Sequence, residues 1–377
     1  VFEAIVHLQR MLQPSKTYIL KYDYSKYFDT IDHVYLRKLF ERQSFSITSA
    51  ERKIIDAFLG HRYAAYPSWQ TMNYSKRKIG VPQGSSLSLF LSNIAAHDLD
   101  MTLERLDGSF VRFADDVIAI AHSYSDARDI ELEFRAHCER SGVKINFEKS
   151  SGITLLQGRA SDDRRDFFLD KDDGGVIHTK EFIDFLGHRV SSRDIDITDR
   201  AVKRIKRKIS RIIYIHLLLY PRRSHQISIS RVGTQFTDWD LVTCINELRR
   251  YIYGGLREVS LTNFIDADVK LPYVRGLMDF YALVSRVDRL AQLDGWLVNV
   301  LQRAVRERQK IIVAQGLPGY GITKESIISG DWHISEVNNE TSLPSFVRGW
   351  RAARKFYRRY GLSEVQAPSY YSLLSLY

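Results

Sequence analysis

Three aspartates in two short segments have the residue types and the order needed for chemistry on phosphates. Asp23 lies in Lys-Tyr-Asp-Tyr-Ser-Lys-Tyr-Phe-Asp, and Asp115 and Asp116 lie in Arg-Phe-Ala-Asp-Asp-Val. Displacement at phosphorus builds charge on the attacking and the leaving oxygen, and two divalent metals about 4 Å apart stabilise both. Mg²⁺ prefers carboxylate oxygens and keeps positions open for substrate phosphates and water. We therefore predict that these three aspartates are catalytic and hold two Mg²⁺ ions, with Mn²⁺ as an alternative.

The segments around these aspartates predict strands that would hold them rigidly. Residues 17–22 form an apolar, β-prone run that ends immediately before Asp23. Residues 109–121 read as two hairpin arms, which would place Asp115 and Asp116 at the tip. An isolated Asp-Asp pair is usually a solvated turn, but the strand-borne aspartate upstream favours a shared site.

A third segment, Gly-Val-Pro-Gln-Gly-Ser-Ser-Leu-Ser-Leu-Phe-Leu-Ser-Asn at residues 80–93, lies between the two aspartate segments. Glycine and proline punctuate its first five residues, which predicts a loop. Asp98 and Asp100, further along, are expected to be solvated or to pack structurally rather than to bind metal. Apolar residues at helical spacing predict a helix beneath the site, and they are Leu91, Ile94, Ala95, Leu99, Leu103 and Leu106.

In this order, the segments resemble the motifs of bacterial reverse transcriptases, in the lineage of group II intron, retron and defence-associated (abortive-infection-like) enzymes. Asp23 falls on the family's first catalytic aspartate, residues 113–116 on its Tyr-Ala-Asp-Asp, and residues 80–93 on its Pro-Gln-Gly segment. Two further blocks follow in family order, at residues 142–149 and 185–189. The matching motifs cover roughly residues 15 to 190.

The resemblance implies an α+β fold, a right-hand polymerase palm with an antiparallel sheet and packed helices. Residues 1–150 would be the palm with a remnant of the fingers, and residues 151–200 an insertion and the primer-grip segment. Residues 201–377 would be a basic, mostly helical thumb and a C-terminal accessory region, with apolar spacing typical of helices at 200–219, 238–256, 275–290 and 292–313. The basic residues of the fingers that grip a triphosphate are not recognisable in the sequence.

The resemblance also assigns roles around the aspartates. The carbonyl of Tyr24 would join the metal shell, and Gln83 and the backbone near Gly84 would contact the incoming nucleotide and the templating base. Lys149 would be a general acid for pyrophosphate or a charge partner of the triphosphate. Lys144 competes for that role, and a solvated lysine is an equal alternative.

Phe28, five residues after Asp23, stands where this family has a bulky ring that overlaps a ribose 2′-hydroxyl. Exclusion by shape is an established way to reject one added group. A simple core position is the alternative. We favour the gate, which would make the product DNA.

Positive charge is concentrated in the second half of the chain. Residues 201–377 contain 27 Lys and Arg against 15 Asp and Glu, a net charge of +12, whereas residues 1–200 carry 28 against 30, a net charge of −2. An ordinary solvated helix face is the alternative for one cluster, but two clusters favour phosphate contacts. The candidate nucleic-acid-binding residues are Lys203, Arg204, Lys206, Arg207, Lys208, Arg211, Arg354, Lys355, Arg358 and Arg359.

Composition places the 377-residue chain among globular proteins, with 44% hydrophobic residues. Its two cysteines, Cys138 and Cys244, are too few for a zinc site or a disulfide framework and favour a reducing cytoplasm, which the resemblance implies is bacterial. No signal peptide is recognisable, and no apolar run is long enough for a bilayer, so no membrane partner is expected.

The predicted function is RNA-directed DNA polymerase, by two-metal nucleotidyl transfer, in antiviral defence with a non-coding RNA. Expected partners are an RNA template or non-coding RNA, a DNA primer or product, dNTPs, and a second copy or a partner protein. Untemplated or protein-primed DNA synthesis at the same site is one alternative. Tyr370, Tyr371 and Tyr377 could prime it, although a docking or loosely ordered tail is favoured. A catalytically silent, RNA-binding scaffold is the other alternative.

Overall fold

A central, mostly antiparallel sheet carries the two aspartate segments. The computed structural model describes residues 1–12, 16–42, 45–63, 74–146, 148, 150–156, 167–168, 176–219, 232, 238–271, 274–319, 321–333 and 341–365. The backbone divides into two compact units, the first mainly residues 3–185 and the second mainly residues 194–377. The predicted boundaries at 150 and 200 stay a prediction about roles.

The first unit alternates short strands with helices. Its described helices are α1 (Phe2–Met11), α2 (Tyr27–Thr30), α3 (His33–Glu41), α4 (Ser49–Leu59), α5 (Ser86–Leu103) and α6 (Tyr124–Ser141). Its strands are β1 (Thr17–Tyr22), β2 (Tyr24–Ser25), β3 (Arg62–Tyr63), β4 (Ser75–Lys76), β5 (Ser109–Phe113), β6 (Asp116–Ala121), β7 (Lys144–Ile145), β8 (Gly152–Leu156), β9 (Phe167–Phe168), β10 (Val176–Ile177), β11 (Thr179–Lys180) and β12 (Ile183–Phe185).

Five of these strands form one sheet in the order β11-β8-β1-β6-β5, with β1 in the centre. β1 is antiparallel to both β6 and β8, and its last pair joins Tyr22 to Val117. β5 and β6 form a hairpin whose last pair joins Phe113 to Asp116. Five of the six residues of β6 are buried, as expected for a strand covered by helices. The antiparallel sheet with packed helices predicted for this part of the chain is confirmed.

α5 follows the predicted apolar pattern, and α6 has a recognisable cap at each end. In α5, Ser85 caps the first turn, and the apolar positions predicted from Leu91 to Leu103 are buried. α6 ends at Gly142, which adopts the left-handed conformation that favours glycine. At its other end, Ser123 is the N-cap of α6, and its side chain accepts a hydrogen bond from the amide of Asp126.

The second unit is mostly helical. After β13 (His188–Val190) and β14 (Ile195–Ile197) it contains α7 (Asp199–Ile213) continued by a π-helical turn (Tyr214–Leu219), and then α8 (Trp239–Tyr253), α9 (Glu258–Ala267), α10 (Leu277–Phe280), α11 (Asp288–Ala314), α12 (Lys324–Ser329), α13 (Phe346–Tyr360) and a 3₁₀ turn (Leu362–Glu364). None of the helices in the described ranges is long and apolar enough to cross a bilayer.

The helix predicted over residues 275–290 is wrong for most of its length. Only α10 is helical there, and α11 begins at Asp288. The backbone between them makes other contacts: the amide of Ser285 donates to the carbonyl of Ile195 at 2.8 Å, and the carbonyl of Val284 accepts from the indole of Trp350 at 2.9 Å. These partners lie too far away in sequence for helical periodicity to reveal them.

Candidate active site

The antiparallel register brings the two aspartate segments together. β1 ends at Tyr22, opposite Val117, so one further step places Asp23 beside Asp116. Asp115 occupies the two-residue turn of the β5–β6 hairpin together with Ala114. The strands predicted to deliver the three aspartates are therefore present, and they converge at one end of the sheet.

The electrostatics of Asp115 reflect this convergence. Burial raises the pKa of its carboxyl above the ordinary value, a hydrogen bond with its own backbone opposes that shift, and the nearby negative charge of Asp23 raises the pKa further. Like charges close together disfavour ionisation of both groups. A divalent cation between these carboxylates would offset that repulsion.

The three carboxylates are suitable ligands for a hard divalent metal, although their side chains do not converge on a common metal position. Across the described ranges, no three His, Cys, Asp or Glu side chains are arranged as a ready metal cage. Carboxylates that converge and repel one another are nevertheless the ligands that Mg²⁺ prefers. Mg²⁺ usually keeps several waters and binds through one or two carboxylates plus substrate phosphates, so an incomplete protein cage is compatible with it.

A short strand pair holds the backbone around Asp23. β2 pairs with β7, joining Tyr24 to Ile145. The amide of Asp23 donates to Ser150 Oγ at 3.0 Å, and its carbonyl accepts from the amide of Asn146 at 2.8 Å. Tyr24, the predicted carbonyl ligand, therefore sits within a fixed segment directly after Asp23.

Of the two candidate lysines, only one can be placed. Lys144 is exposed on β7, opposite Ser25. Lys149, predicted to act on the triphosphate or on pyrophosphate, lies outside the described residues, and so do the tail tyrosines Tyr370, Tyr371 and Tyr377.

Phe28 and the loop before α5 are fastened to each other. The amide of Val81 donates to the carbonyl of Phe28 at 2.5 Å, and the amide of Gly80 donates to the carbonyl of Ile31 at 2.8 Å. Gly80 has φ +76°, and a Cβ there would lie 2.5 Å from the carbonyl oxygen of Asp29. Only glycine fits this close approach.

The same loop presents Gln83 and Gly84 to solvent. Both residues are exposed, and a Cβ on Gly84 would meet no atom within 4 Å. Gln83 Nε2 lies 3.5 Å from Asp29 Oδ2, at the limit of hydrogen bonding. Phe28 is half-buried and packs edge-on against Tyr27, with 5.8 Å between ring centroids. Phe28 on one side and Gln83 with Gly84 on the other thus belong to two segments that backbone hydrogen bonds join.

α5 anchors the elements around the site. Tyr27 Oη donates to the carbonyl of Ser92 at 3.0 Å, and Tyr35 Oη donates to the carbonyl of Ala95 at 3.1 Å. Asp98 pairs with Arg42 at 2.5 Å, and Asp100 pairs with Arg112 at 2.5 Å. These two aspartates are ion-paired, in keeping with the structural role expected for them.

Sequence reasoning missed Arg112. This arginine lies three residues before Asp115, and it also donates to Asn93 Oδ1 at 2.8 Å and to the carbonyl of Ala114 at 3.2 Å. A charged residue in the middle of a hairpin arm, between Val111 and Phe113, was the available signal, but the sequence alone could not identify its partners.

The first basic cluster forms one solvated face of α7. Ile205, Ile209 and Ile213 are buried, whereas Lys203, Arg207 and Arg211 are exposed. Three further predicted residues of this cluster are half-buried: Arg204, Lys206 and Lys208. Lys206 lies over the ring of Trp296, with its Nζ 5.3 Å from the ring centroid.

In the second cluster, most of the cations contact the protein itself. Arg354 donates to the carbonyls of Val284 and Ser285. Lys355 and Arg359 both pair with Asp268, at 3.0 and 2.6 Å.

Two cations of α13 are different. Arg358 and Arg351 are exposed, and within the described part of the chain neither has a hydrogen-bond or ion-pair partner. Both line an open cleft of about 700 Å³ along α13. Of the four residues predicted here, Arg358 is therefore the one best placed for an external phosphate, and Arg351 was missed.

Comparison with known proteins gives one family. Residues 3–190 match the sequence profile described as "Reverse transcriptase (RNA-dependent DNA polymerase)". No curated protein matches the sequence. With the antiparallel sheet and its packed helices, the profile match confirms the predicted α+β palm fold.

Among solved structures, telomerases resemble the chain remotely. Telomerase from Candida albicans, in complex with a TWJ fragment of telomeric RNA, has 14% identity and a TM-score of 0.37, covering 83% of this chain and 49% of that one. Apo telomerase from Candida tropicalis has 11% identity and a TM-score of 0.40, with the same coverage. A truncated apo form from Candida tropicalis has 16% identity and a TM-score of 0.35, covering 52% of this chain and 38% of that one. The chain thus spans about half the length of these telomerases or less.

Proposed function

Since residues 3–190 belong to the reverse transcriptase family, we propose that this chain is an RNA-directed DNA polymerase that works by two-metal nucleotidyl transfer. One observation carries the proposal. The register of β1 and β6 brings Asp23 beside Asp116, and the negative charge of Asp23 perturbs the pKa of Asp115. Convergent carboxylates on rigid strands are what this chemistry requires.

Asp23, Asp115 and Asp116 would bind two Mg²⁺ ions, and the carbonyl of Tyr24 would complete the protein's share of the ligands. Two such ions would supply positive charge for the attacking 3′-hydroxyl oxygen and for the leaving pyrophosphate. The protein's contribution is to fix the carboxylates through the strand pairs and to orient the nucleotide. Gln83 and the backbone at Gly84, both exposed beside Phe28, would contact the dNTP and the templating base.

Phe28 would make the enzyme selective for deoxynucleotides. Its backbone is held by the Val81 amide, and its ring is braced by Tyr27. A ring with a held backbone and a packed neighbour would not easily move away from a ribose 2′-hydroxyl. A fixed shape of this kind rejects one additional group by steric overlap.

The nucleic-acid surface would consist of the exposed face of α7 and the two exposed cations of α13 that have no ion-pair partner among the described residues. Lys203, Arg207 and Arg211 lie on the first, and Arg351 and Arg358 on the second. Contacts of arginine and lysine with phosphates position a duplex without reading its sequence. An RNA–DNA hybrid presents a shape suited to such contacts.

The biological setting is proposed from the motif resemblance. The order of blocks between residues 15 and 190 is similar to that of bacterial group II intron, retron and defence-associated enzymes. Antiviral defence with a non-coding RNA in the bacterial cytoplasm is the setting that fits this resemblance. Assembly with a second copy or a partner protein belongs to the same proposal.

The test is nucleotide incorporation by the purified chain with Mg²⁺, using each labelled dNTP and rNTP in turn. Reactions would be run with and without co-purifying nucleic acid, beside the Asp115→Ala/Asp116→Ala variant. We expect dNTP incorporation that stops after nuclease treatment, resumes with an added RNA template and DNA primer, and is absent in the variant.

Two other outcomes would contradict the proposal. Incorporation of one or two nucleotides that survives nuclease treatment would indicate untemplated or protein-primed synthesis. Absence of incorporation with an added primer–template, combined with tight RNA binding, would indicate a silent scaffold.

A further inference from the structure

Arg112 makes five hydrogen bonds, to α5 and to the turn that precedes Asp116. We infer that it is a positioning residue that fixes Asp115 and Asp116 for metal binding by tying their turn to α5. This inference rests on the proposed function for its catalytic consequence. The structural part of it concerns only the tip of the β5–β6 hairpin and the helix beside it.

All three nitrogens of the Arg112 guanidinium donate hydrogen bonds. Nε and Nη2 donate to the two carboxylate oxygens of Asp100, at 2.8 and 2.5 Å. Nη1 donates to Asn93 Oδ1 at 2.8 Å and to the carbonyl of Ala114 at 3.2 Å. Asn93 and Asp100 are seven residues apart on α5, two turns along the same face. One side chain therefore bridges two turns of a helix and the hairpin tip.

The turn needs such a support because its first residue is unfavourable there. Ala114 has φ +56°, in the left-handed region that disfavours residues with a Cβ. Two-residue hairpin turns usually place glycine, asparagine or aspartate at such a position. A backbone held away from its preferred conformation persists only when surrounding contacts determine it. The bond from Arg112 to the Ala114 carbonyl is a direct contact of this kind.

The environment strengthens these contacts. The side chains of Arg112 and Asp100 are only 14% and 20% exposed. Charge-assisted, bidentate bonds in such a setting are strong and directional. Lysine would keep the charge of Arg112 but could not reach three acceptors, because its ammonium is a single point on a flexible stem. The arrangement is therefore specific for arginine.

These contacts would fix the positions of Asp115 and Asp116. Asp115 directly follows the residue whose carbonyl Arg112 holds, and Asp116 opens β6 at the next position. The same arginine is bonded to Asn93, the last residue of the segment that begins at Gly80 and contains Gln83. Arg112 thus connects the hairpin tip with the helix that supports the proposed nucleotide loop. A displacement of about 1 Å in such a site can reduce the rate roughly 100-fold.

The experiment compares Arg112→Lys with a matched control, Arg42→Lys. Arg42 pairs with Asp98 on the same helix, but its side chain is 55% exposed and lies on no catalytic segment. For Arg112→Lys we expect kcat for dNTP incorporation to fall about 10- to 100-fold, with KM for dNTP within about threefold. Mn²⁺ affinity, measured by electron paramagnetic resonance without nucleotide, should fall severalfold. Arg42→Lys should leave all three quantities unchanged.

Asp100→Asn provides a second test in case Arg112→Lys does not fold. It removes the ion pair but keeps the shape, and it should reduce kcat and Mn²⁺ affinity in the same direction. The double variant should lose less than the product of the two single losses, because both changes disrupt one network.

The outcomes separate the inference from the proposed function. Wild-type kcat and Mn²⁺ affinity in folded Arg112→Lys would overturn the inference, and so would a lowered Tm with unchanged kcat per folded molecule. A wild-type chain that binds Mn²⁺ but incorporates no nucleotide would overturn the proposed function. In that case the Mn²⁺ affinities of the variants would still decide whether Arg112 positions the aspartates.

Discussion

The ionised carboxyl of Asp115 destabilises the folded chain at the position where the proposed chemistry needs it. Its carboxyl is partly buried beside another carboxylate, with a raised pKa, whereas a stable fold would place a neutral group there. Burial and the charge of Asp23 both penalise the ionised form. In the proposed function the ionised form would bind metal, and a bound cation would offset this cost.

We predict that Asp115→Asn abolishes incorporation and raises Tm in the absence of metal. The raised pKa means that the wild type loses stability as pH increases from the ordinary carboxyl value, about 4, through the folded-state value. The variant has no such loss, so its advantage should vanish below about pH 4 and be largest at neutral pH. A gain of about 1 kcal/mol would raise Tm by roughly 2–4 °C.

Thermal unfolding at several pH values, with EDTA, measures this effect. The control is Asp107→Asn, which replaces an exposed aspartate outside the site and should leave Tm close to the wild-type value. A lower Tm for Asp115→Asn than for the wild type at neutral pH would contradict the argument.

Phe28 leads to a prediction about substrate selectivity. Phe28→Ala should lower the preference for dNTP over rNTP, expressed as the ratio of kcat/KM values, by roughly 10- to 100-fold, because the steric overlap with the 2′-hydroxyl disappears. Phe28→Tyr keeps the ring and should retain the preference. Single-nucleotide incorporation on one primer–template measures both. An unchanged ratio in Phe28→Ala would show that the ring is only part of the core.

Among the elements, α13 shows that cations on one helix do different work. Lys355 Nζ donates to the carbonyls of Phe264 and Ile265, near the C-terminal end of α9, at 2.8 and 3.0 Å. A cation near a helix C-terminus satisfies its last carbonyls and its dipole. Arg351 and Arg358, on the exposed side, have no such internal acceptors within the described residues.

The two kinds of cation should therefore respond differently to substitution. Arg351→Ala/Arg358→Ala should weaken binding to an RNA–DNA hybrid while leaving Tm unchanged. Lys355→Ala should lower Tm, since each lost hydrogen bond contributes about 0.5–1.5 kcal/mol. Fluorescence anisotropy and thermal unfolding measure the two effects. If both variants lost the same affinity for the hybrid and neither changed in Tm, the distinction between the two kinds of cation would be wrong.

The same elements show what the sequence could and could not predict. The hairpin at residues 109–121 and the helix α5 followed from local periodicity, and the site aspartates followed from strand ends. The partners of Arg112 did not, because Asn93 and Asp100 become its neighbours only when α5 packs beside the hairpin. The end of the helical pattern at residue 280 was missed for a related reason, since Ser285 bonds to Ile195, 90 residues away.

At the scale of the whole molecule, charge is distributed unevenly along the chain. Residues 201–377 carry a net charge of +12, and residues 1–200 carry −2. In the proposed function, this division would leave carboxylates available for metal in one part of the chain and would provide counter-charges for phosphates in the other. Binding dominated by phosphate contacts releases counterions and is steeply dependent on salt.

We predict that the full chain binds RNA–DNA hybrids of unrelated sequence with similar affinity and a common salt dependence. Lys203→Ala/Arg207→Ala should reduce the slope of log K against log salt by about 2, since each phosphate contact contributes about 0.9. Lys310→Ala is the control, because Lys310 is exposed but paired with Glu307 at 2.7 Å. Strong preference for one sequence, or an unchanged slope in the double variant, would contradict this prediction.

The anchoring role of α5 has a consequence for how this chain can change in evolution. Three side chains from other segments donate hydrogen bonds to this helix. Tyr27 bonds to Ser92 and Tyr35 to Ala95. Arg112 bonds to Asn93 and Asp100. Loss of one residue before position 92 would turn all these acceptors by about 100° and shift them by about 1.5 Å relative to the preceding segment. Length variation should therefore be tolerated in the loops of the palm and be absent from α5, where one deletion would disconnect three segments at once.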